Sequence, residues 1–182
     1  DCSSRGLGDV YKRQILENDV DAKEMLWKNL NRFIKMEVNI SGISFNDIDQ
    51  ILAIENKINK FPWSRANFLS SLNAGHKALA LIFNDSIIGY TFFYIVDTDA
   101  HLLNISIKRS FQKQGMGKKL LTHVIGYAKL SGATMMFLEV AVSNLNAIAF
   151  YEKLGFIGDS YRYNYYGTKD KEDALLMSLR GF

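Results

Sequence analysis

An alternating apolar run at residues 102–107 leads into a basic turn holding Gly115 and Gly117, and then into Leu120, Leu121, Val124, Ile125 and Ala128 at helical spacing. That order of strand, glycine turn and helix sets a helix N-terminus beside a strand end. Glycine reaches backbone angles closed to other residues and, lacking a Cβ, lets a ligand come close to the main chain. The first N–H groups of the helix have no partner within it and lie at the positive end of its dipole. Such a turn suits a phosphate. Neither G-x-x-x-x-G-K-[ST] nor G-x-G-x-x-G occurs around Gly115, which excludes two common phosphate loops.

The turn reads Gln112-x-x-Gly115-x-Gly117, and this resembles the acetyl-CoA pyrophosphate loop of the GNAT N-acetyltransferases. LEVAVSN at 138–144 and AIAFYEKLGF at 147–156 resemble the second half of the same site. FPWS at 61–64, LLNISI at 102–107 and RYNYYGTKDKEDALLM at 162–177 resemble one branch, the ribosomal-protein-alanine N-acetyltransferases. The resemblance runs in order from about residue 36 to the C-terminus. It implies an α/β fold with a mixed, mostly antiparallel central sheet and helices on both faces. It also implies acetyl-CoA as cosubstrate and no metal.

With 182 residues and 48% hydrophobic composition, one domain with a sizeable core is expected. No apolar run approaches the length of a membrane span, so a soluble, cytoplasmic protein acting away from membranes is expected. The net charge of +3 is dispersed and gives no reason to expect a direct nucleic-acid partner. Cys2 is the single cysteine, so no disulfide can form within this sequence, as suits a reducing compartment. Residues 1–14 lack apolar periodicity, and their DVYKRQ looks like the translation of a sequencing adapter, so they are set aside as non-native. Residues 15–35 form an extension of unassigned origin in which Leu26, Leu30, Phe33 and Ile34 cluster on one side of a possible helix. Met36 reads as the natural start of an acetyltransferase domain over 36–182.

Along that domain, residues 38–43 alternate as a strand. Ser44 with Asp47 makes a capping signature for a helix to about residue 57, whose apolar side carries Ile48, Ile51 and Leu52. Phe61-Pro62-Trp63 interrupts the pattern and Ser64 caps a second, short helix to 72. Strands at 77–83 and 87–96 are joined by an Asn84-Asp85-Ser86 turn. The strand at 102–107 and the helix to about 130 follow, then a strand at 133–142 and a helix capped by Ser143 or Asn144 that runs to 154. Strands at 156–165 and 173–179 close the chain as a hairpin.

Moving an acetyl group from a thioester to an amine needs a held cosubstrate, a neutral amine, donors for the developing oxyanion and a proton for the departing thiolate. By resemblance, Lys113, Gln114, Gly115, Met116, Gly117 and Lys118 cradle the pyrophosphate. Lys118 stands where arginine is usual, which turns a bidentate contact into a point charge. The main chain of Ile105, Ser106 and Ile107 is implied to pair with the pantetheine arm, and Asn144 to contact it, although Asn144 reads equally well as a plain helix cap.

Glu139 interrupts a strand that otherwise reads as buried, where an ionisable group is costly unless paired or functional. The resemblance makes it the general base; the alternative is a salt-bridged strand glutamate. Tyr151 is by resemblance the general acid, on a helix where a tyrosine is otherwise a core residue. Phe61, Trp63, Tyr163, Asn164, Tyr165 and Tyr166 are expected to line the acceptor groove. Gly167 in place of a common proline, and Ala141 in place of a common arginine, leave the peptide preference open.

His76, His101 and His123 show no metal-ligand spacing, and no nucleophile pair suggests a covalent acyl-enzyme, so direct attack in a ternary complex is expected. The implied acceptor is the N-terminal amine of an alanine on a small-subunit ribosomal protein, modified by a monomeric enzyme. An α-amine of pKa roughly 7.7–8.0 is easier to neutralise than a lysine near 10.4. Acetylation of lysine or of a small amine, and a non-catalytic acetyl-CoA-binding module, are the alternatives. Intact Glu139 and Tyr151 weigh against the last.

Overall fold

A computed structural model of the protein describes residues 37–168 and 171–182. The expectations for residues 1–14 and 15–35 lie outside the described residues. Strand β1 (Asn39–Gly42) is followed by a 3-10 turn (Phe45–Asp47) that leads into helix α1 (Ile48–Ile58). The Ser44 N–H donates to Asp47 Oδ2 at 2.7 Å, as the capping signature predicts. Helix α2 (Arg65–Asn73) starts at Ser64, whose Oγ accepts from the Asn67 N–H at 3.2 Å.

Strands β2 (Lys77–Phe83) and β3 (Ser86–Val96) form a hairpin, with Asn84 and Asp85 both at positive φ in the turn. Strand β4 (Asp99–Ile107), helix α3 (Met116–Leu130), strand β5 (Met135–Ala141) and helix α4 (Leu145–Glu152) follow. Strands β6 (Ile157–Tyr166) and β7 (Glu172–Arg180) end the chain.

The seven strands form one sheet in the order β1-β2-β3-β4-β5-β7-β6. Only β4 and β5 run parallel, joined by the α3 crossover, and the other pairings are antiparallel. One face packs Phe93, Leu102, Met136 and Leu138 against the buried stripe of α3 and against Tyr151 of α4. The other packs Tyr90 and Phe92 against Ile48 and Ile51 of α1 and Phe68 of α2. Each large side chain so buried contributes roughly 1.5–3 kcal/mol of transfer free energy, and this fixes the helices on both faces.

Two expectations change in the structure. Strand β5 is not buried on both faces: Met136, Leu138 and Val140 are buried, while Met135, Phe137, Glu139 and Ala141 share a half-exposed face. Glu139 therefore interrupts nothing; it sits at an alternating position. Nor do both glycines of the turn need special angles. Gly115 has φ +80, whereas Gly117 lies inside α3 at no positive φ, and the second left-handed residue of the turn is Lys113, φ 58. Among the described residues, no helix is long and apolar enough to cross a membrane.

Candidate active site

Strands β4 and β5 pair only from Asp99↔Met135 to Leu102↔Leu138. Beyond that point each keeps its outer neighbour, β4 with β3 through Ile107↔Gly89 and β5 with β7 through Ala141↔Ala174. The sheet thus opens between them. A register shift between Phe92 and Phe93 leaves Leu103 as an extra residue on β4 at the place where the opening begins. Such a bulge bends its strand and sharpens its twist.

A cleft of about 390 Å³ fills the opening. Its walls are residues 102–105 of β4 and 138–141 of β5; beyond the last ladder pair, Leu102↔Leu138, their facing edges have no ladder partner in each other. Asn144 and Tyr151 enter from α4, and Phe61, Trp63 and Tyr166 from the far side. Of the residues expected from sequence, the cleft brings together Glu139, Tyr151, Ile105, Asn144, Phe61, Trp63 and Tyr166.

The others are placed elsewhere. Ser106 and Ile107 are buried at the end of β4: the Ser106 Oγ accepts from Asn59 Nδ2 at 3.0 Å, and the Ile107 carbonyl accepts from Gln112 Nε2 at 2.8 Å. That second bond ties the glycine turn back to β4 and gives Gln112 of the motif a physical task. Lys113, Gln114, Gly115, Met116, Gly117 and Lys118 surround the start of α3, outside the cleft lining. An added Cβ on Gly117 would lie 3.4 Å from the Phe150 ring, so α3 begins in contact with α4. Tyr163, Asn164 and Tyr165 are exposed on the edge strand β6. There the Asn164 N–H donates to Asp173 Oδ1 at 2.8 Å, and the Arg162 guanidinium lies 4.6 Å from the Tyr165 ring.

Within the cleft, Glu139 Oε1 accepts from Arg162 Nη1 at 2.6 Å, and the Glu139 carbonyl accepts from the Tyr166 hydroxyl at 3.0 Å. Burial, with Tyr165 and Glu139 nearby, pushes the Tyr166 hydroxyl above the usual tyrosine pKa. Tyr165 is raised in the same sense, by burial first and then by Glu139. Burial alone raises Tyr151 well above its ordinary value, so its hydroxyl remains a donor across the physiological range. Asn144 caps α4 by accepting from the Ala147 N–H at 3.2 Å, and it lines the cleft as well, so its two readings coexist.

Phe61 stacks on Tyr166 with ring centroids 5.3 Å apart. Beside them Lys60 Nζ meets Glu172 Oε2 at 2.7 Å, and the Ser143 N–H donates to Glu172 Oε1 at 2.8 Å. These two donors hold the Glu172 carboxyl down at about 2. Sequence reasoning missed Lys60, Glu172 and Arg162, whose partners come from distant segments. It also missed Glu55, which is wholly buried on α1 and lines the cleft. A signal for Glu55 existed: it stands four residues after Ile51 and seven after Ile48, on the apolar stripe itself.

Comparison with known proteins agrees with this geometry. Residues 48–156 match the model of the acetyltransferase (GNAT) family. Over 141 residues the chain is 36% identical to the [ribosomal protein bS18]-alanine N-acetyltransferase of Escherichia coli strain K12, covering 77% of this chain and 95% of that protein. The crystal structure of the ribosomal-protein-S18-alanine N-acetyltransferase from Escherichia coli superposes with a TM-score of 0.72 at 35% identity, over 79% of this chain and 93% of that one. Ard1 from Thermoplasma volcanium, at 22% identity, shares the fold with a TM-score of 0.74 over 80% of this chain and 98% of its own.

Proposed function

The chain belongs to the acetyltransferase (GNAT) family, and from that premise we propose that it is a cytoplasmic enzyme acetylating the N-terminal α-amine of an alanine on a small-subunit ribosomal protein. The observation that carries this reading is the opening between β4 and β5, with Glu139 and Tyr151 both on its walls. Acetyl-CoA supplies the activated acetyl thioester. The residues present fit it: the free main-chain edges of β4 and β5 suit an amide-bearing arm. The start of α3, with Gly115 at φ +80 and Lys113 and Lys118 exposed, suits its phosphates.

In this role the residues divide the work. Arg162 holds Glu139 through Oε1, which leaves Oε2 to take a proton from the incoming amine, directly or through a water. Main-chain N–H groups at the split edge of the sheet meet the developing oxyanion. Tyr151, kept protonated by burial, offers its hydroxyl to the departing sulfur. Because that burial also makes full loss of the proton harder, its main contribution is a hydrogen bond that strengthens as the sulfur gains charge. Phe61, Trp63 and Tyr166 form the wall against which the acceptor's first residue rests.

The test is thiol release from acetyl-CoA, comparing peptides with a free N-terminal alanine against peptides blocked at that terminus but bearing lysine. Release with the free alanine terminus alone is the expected result. Release with the blocked lysine peptides assigns the enzyme to lysine side chains instead. Binding of acetyl-CoA without release from either leaves a small-amine enzyme or a binding module.

A further inference from the structure

Glu55 is fully buried, and its carboxyl group receives four donors from four different segments. Oε1 accepts from the Trp63 main-chain N–H at 2.8 Å and from Asn104 Nδ2 at 3.0 Å. Oε2 accepts from Asn59 Nδ2 and from the Tyr90 hydroxyl. Tyr90 has its pKa pushed up, by burial first and by Glu55 second, so it stays a donor. Asn59 extends the set by donating to Ser106 Oγ at 3.0 Å. One carboxyl thus joins the end of α1, the loop between α1 and α2, strand β3 and the opened end of β4.

A purely structural role does not explain this arrangement well. A buried ionisable group costs desolvation, and a set of apolar side chains of similar volume often stabilises a core as well or better. What a carboxyl provides here is a fixed direction for each donor, and three of those donors, Asn59, Trp63 and Asn104, line the cleft. We infer that Glu55 is a positioning residue, which fixes the loop carrying Phe61 and Trp63 against the opened edge of β4 and so sets the acceptor side of the cleft. This inference rests on the acetyl-transfer reading given above.

Its consequence is asymmetric. Strand β4 keeps its ladder to β3 whatever happens to Glu55. The loop has no ladder, and the Trp63 N–H has Glu55 as its partner. Losing the carboxyl therefore frees the loop while leaving β4 in place.

The experiment compares the full chain with Glu55→Met and Glu55→Gln, reading separate KM values for the alanine peptide and for acetyl-CoA, and amide hydrogen exchange by segment. Leaving the half-buried Trp63 N–H and Asn104 amide unsatisfied in Glu55→Met is expected to raise the peptide KM about tenfold or more, with the acetyl-CoA KM changed less than about twofold. Exchange is expected to quicken at residues 59–64 and to stay unchanged at 103–107. Glu55→Gln keeps the shape and both Oε1 bonds but turns an N–H2 group toward Asn59 and Tyr90. It is expected to recover most of the loss, with a small residual rise in the peptide KM alone, and it carries the test if Glu55→Met does not fold.

Equal changes in both KM values, an unchanged peptide KM, or faster exchange throughout the sheet would overturn the inference. If the wild-type chain releases no thiol with any peptide, the reading of a peptide acceptor fails by itself. The exchange comparison then still decides on Glu55: selective loss of protection at 59–64 upholds the anchor, and a uniform change or none rejects it.

Discussion

The two sides of the cleft are built from different materials. Toward the start of α3, the groups on offer are main-chain edges of β4 and β5 and the first N–H groups of a helix, all set by regular elements. On the other side, the α1–α2 loop and the β6–β7 hairpin are held together by side chains far apart in sequence. Lys60 and Glu172, 112 residues apart, form an ion pair; Phe61 stacks on Tyr166, and Arg162 bonds Glu139. A site made of backbone tolerates most substitutions that preserve the backbone. A site made of paired side chains can be retuned one residue at a time. The acceptor preference can therefore change in this fold without disturbing the grip on the acetyl donor.

The sharpest break is expected where the two sides meet. Glu139→Gln keeps the shape and an Arg162 contact but removes the base, and turnover should fall by about 10³-fold with both KM values little changed. Steady-state kinetics on the alanine peptide check this; a rise confined to the peptide KM would make Glu139 a recognition residue only. Tyr151→Phe comes next, with turnover down by about 10²-fold and acetyl-CoA affinity retained, since the ring still fills its place in the core. Equal turnover in the Phe variant would remove Tyr151 from the chemistry.

Smaller effects should separate the two glycines of the backbone-made side. Gly115→Ala places a Cβ at φ +80 and should destabilise the fold by roughly 1–2 kcal/mol. Gly117→Ala sits in helical backbone with its Cβ at ordinary contact distance from Phe150, so stability should hold or rise by up to about 1 kcal/mol. Thermal melts of the two variants check this, and a large loss for Gly117→Ala would show that α3 and α4 pack more tightly than contact distance implies.

The difference between the two sides also explains what the sequence made legible. Among the described residues, periodicity and capping located each strand and α-helix after residue 38 to within a few residues, because those signals are local: Ser64 caps α2 where expected, and Asn84-Asp85 turns the β2–β3 hairpin. The order strand, glycine turn, helix pointed to the start of α3 for the same reason. Pairings between distant segments carry no local signal. Arg162 gave no sign that it would reach Glu139, nor Lys60 that it would meet Glu172. The split of β4 from β5 begins beside a bulge at Leu103, a registry event that alternating hydrophobicity does not reveal. Tyr163 and Tyr165 read as groove residues in a string of aromatics; the structure puts both on the exposed edge strand, outside the cleft lining, with Tyr165 packed on the cleft residue Tyr166.

The smallest effect is expected at the Lys60–Glu172 pair. Glu172 has its carboxyl pKa lowered from 4.5 to about 2, first by the hydrogen bond from Lys60 and then by Ser143. A depressed carboxyl pKa means that the pair favours the folded state above the unfolded value and that this benefit is lost as the pH falls from about 4.5 toward about 2. Lys60→Met should lower the melting temperature slightly at neutral pH and raise the peptide KM only a little, since exposed ion pairs contribute weakly. The informative readout is the gap in melting temperature between wild type and variant as a function of pH. If the ion pair ties the loop to the hairpin, that gap should close as Glu172 takes up its proton. Lys60 also lies 5.1 Å from the Phe61 ring centroid, an interaction that does not titrate with Glu172. A gap that persists unchanged down to pH 2 would assign the effect of Lys60 to that ring, and would leave the aromatic stack of Phe61 on Tyr166 as the bond that closes the acceptor side.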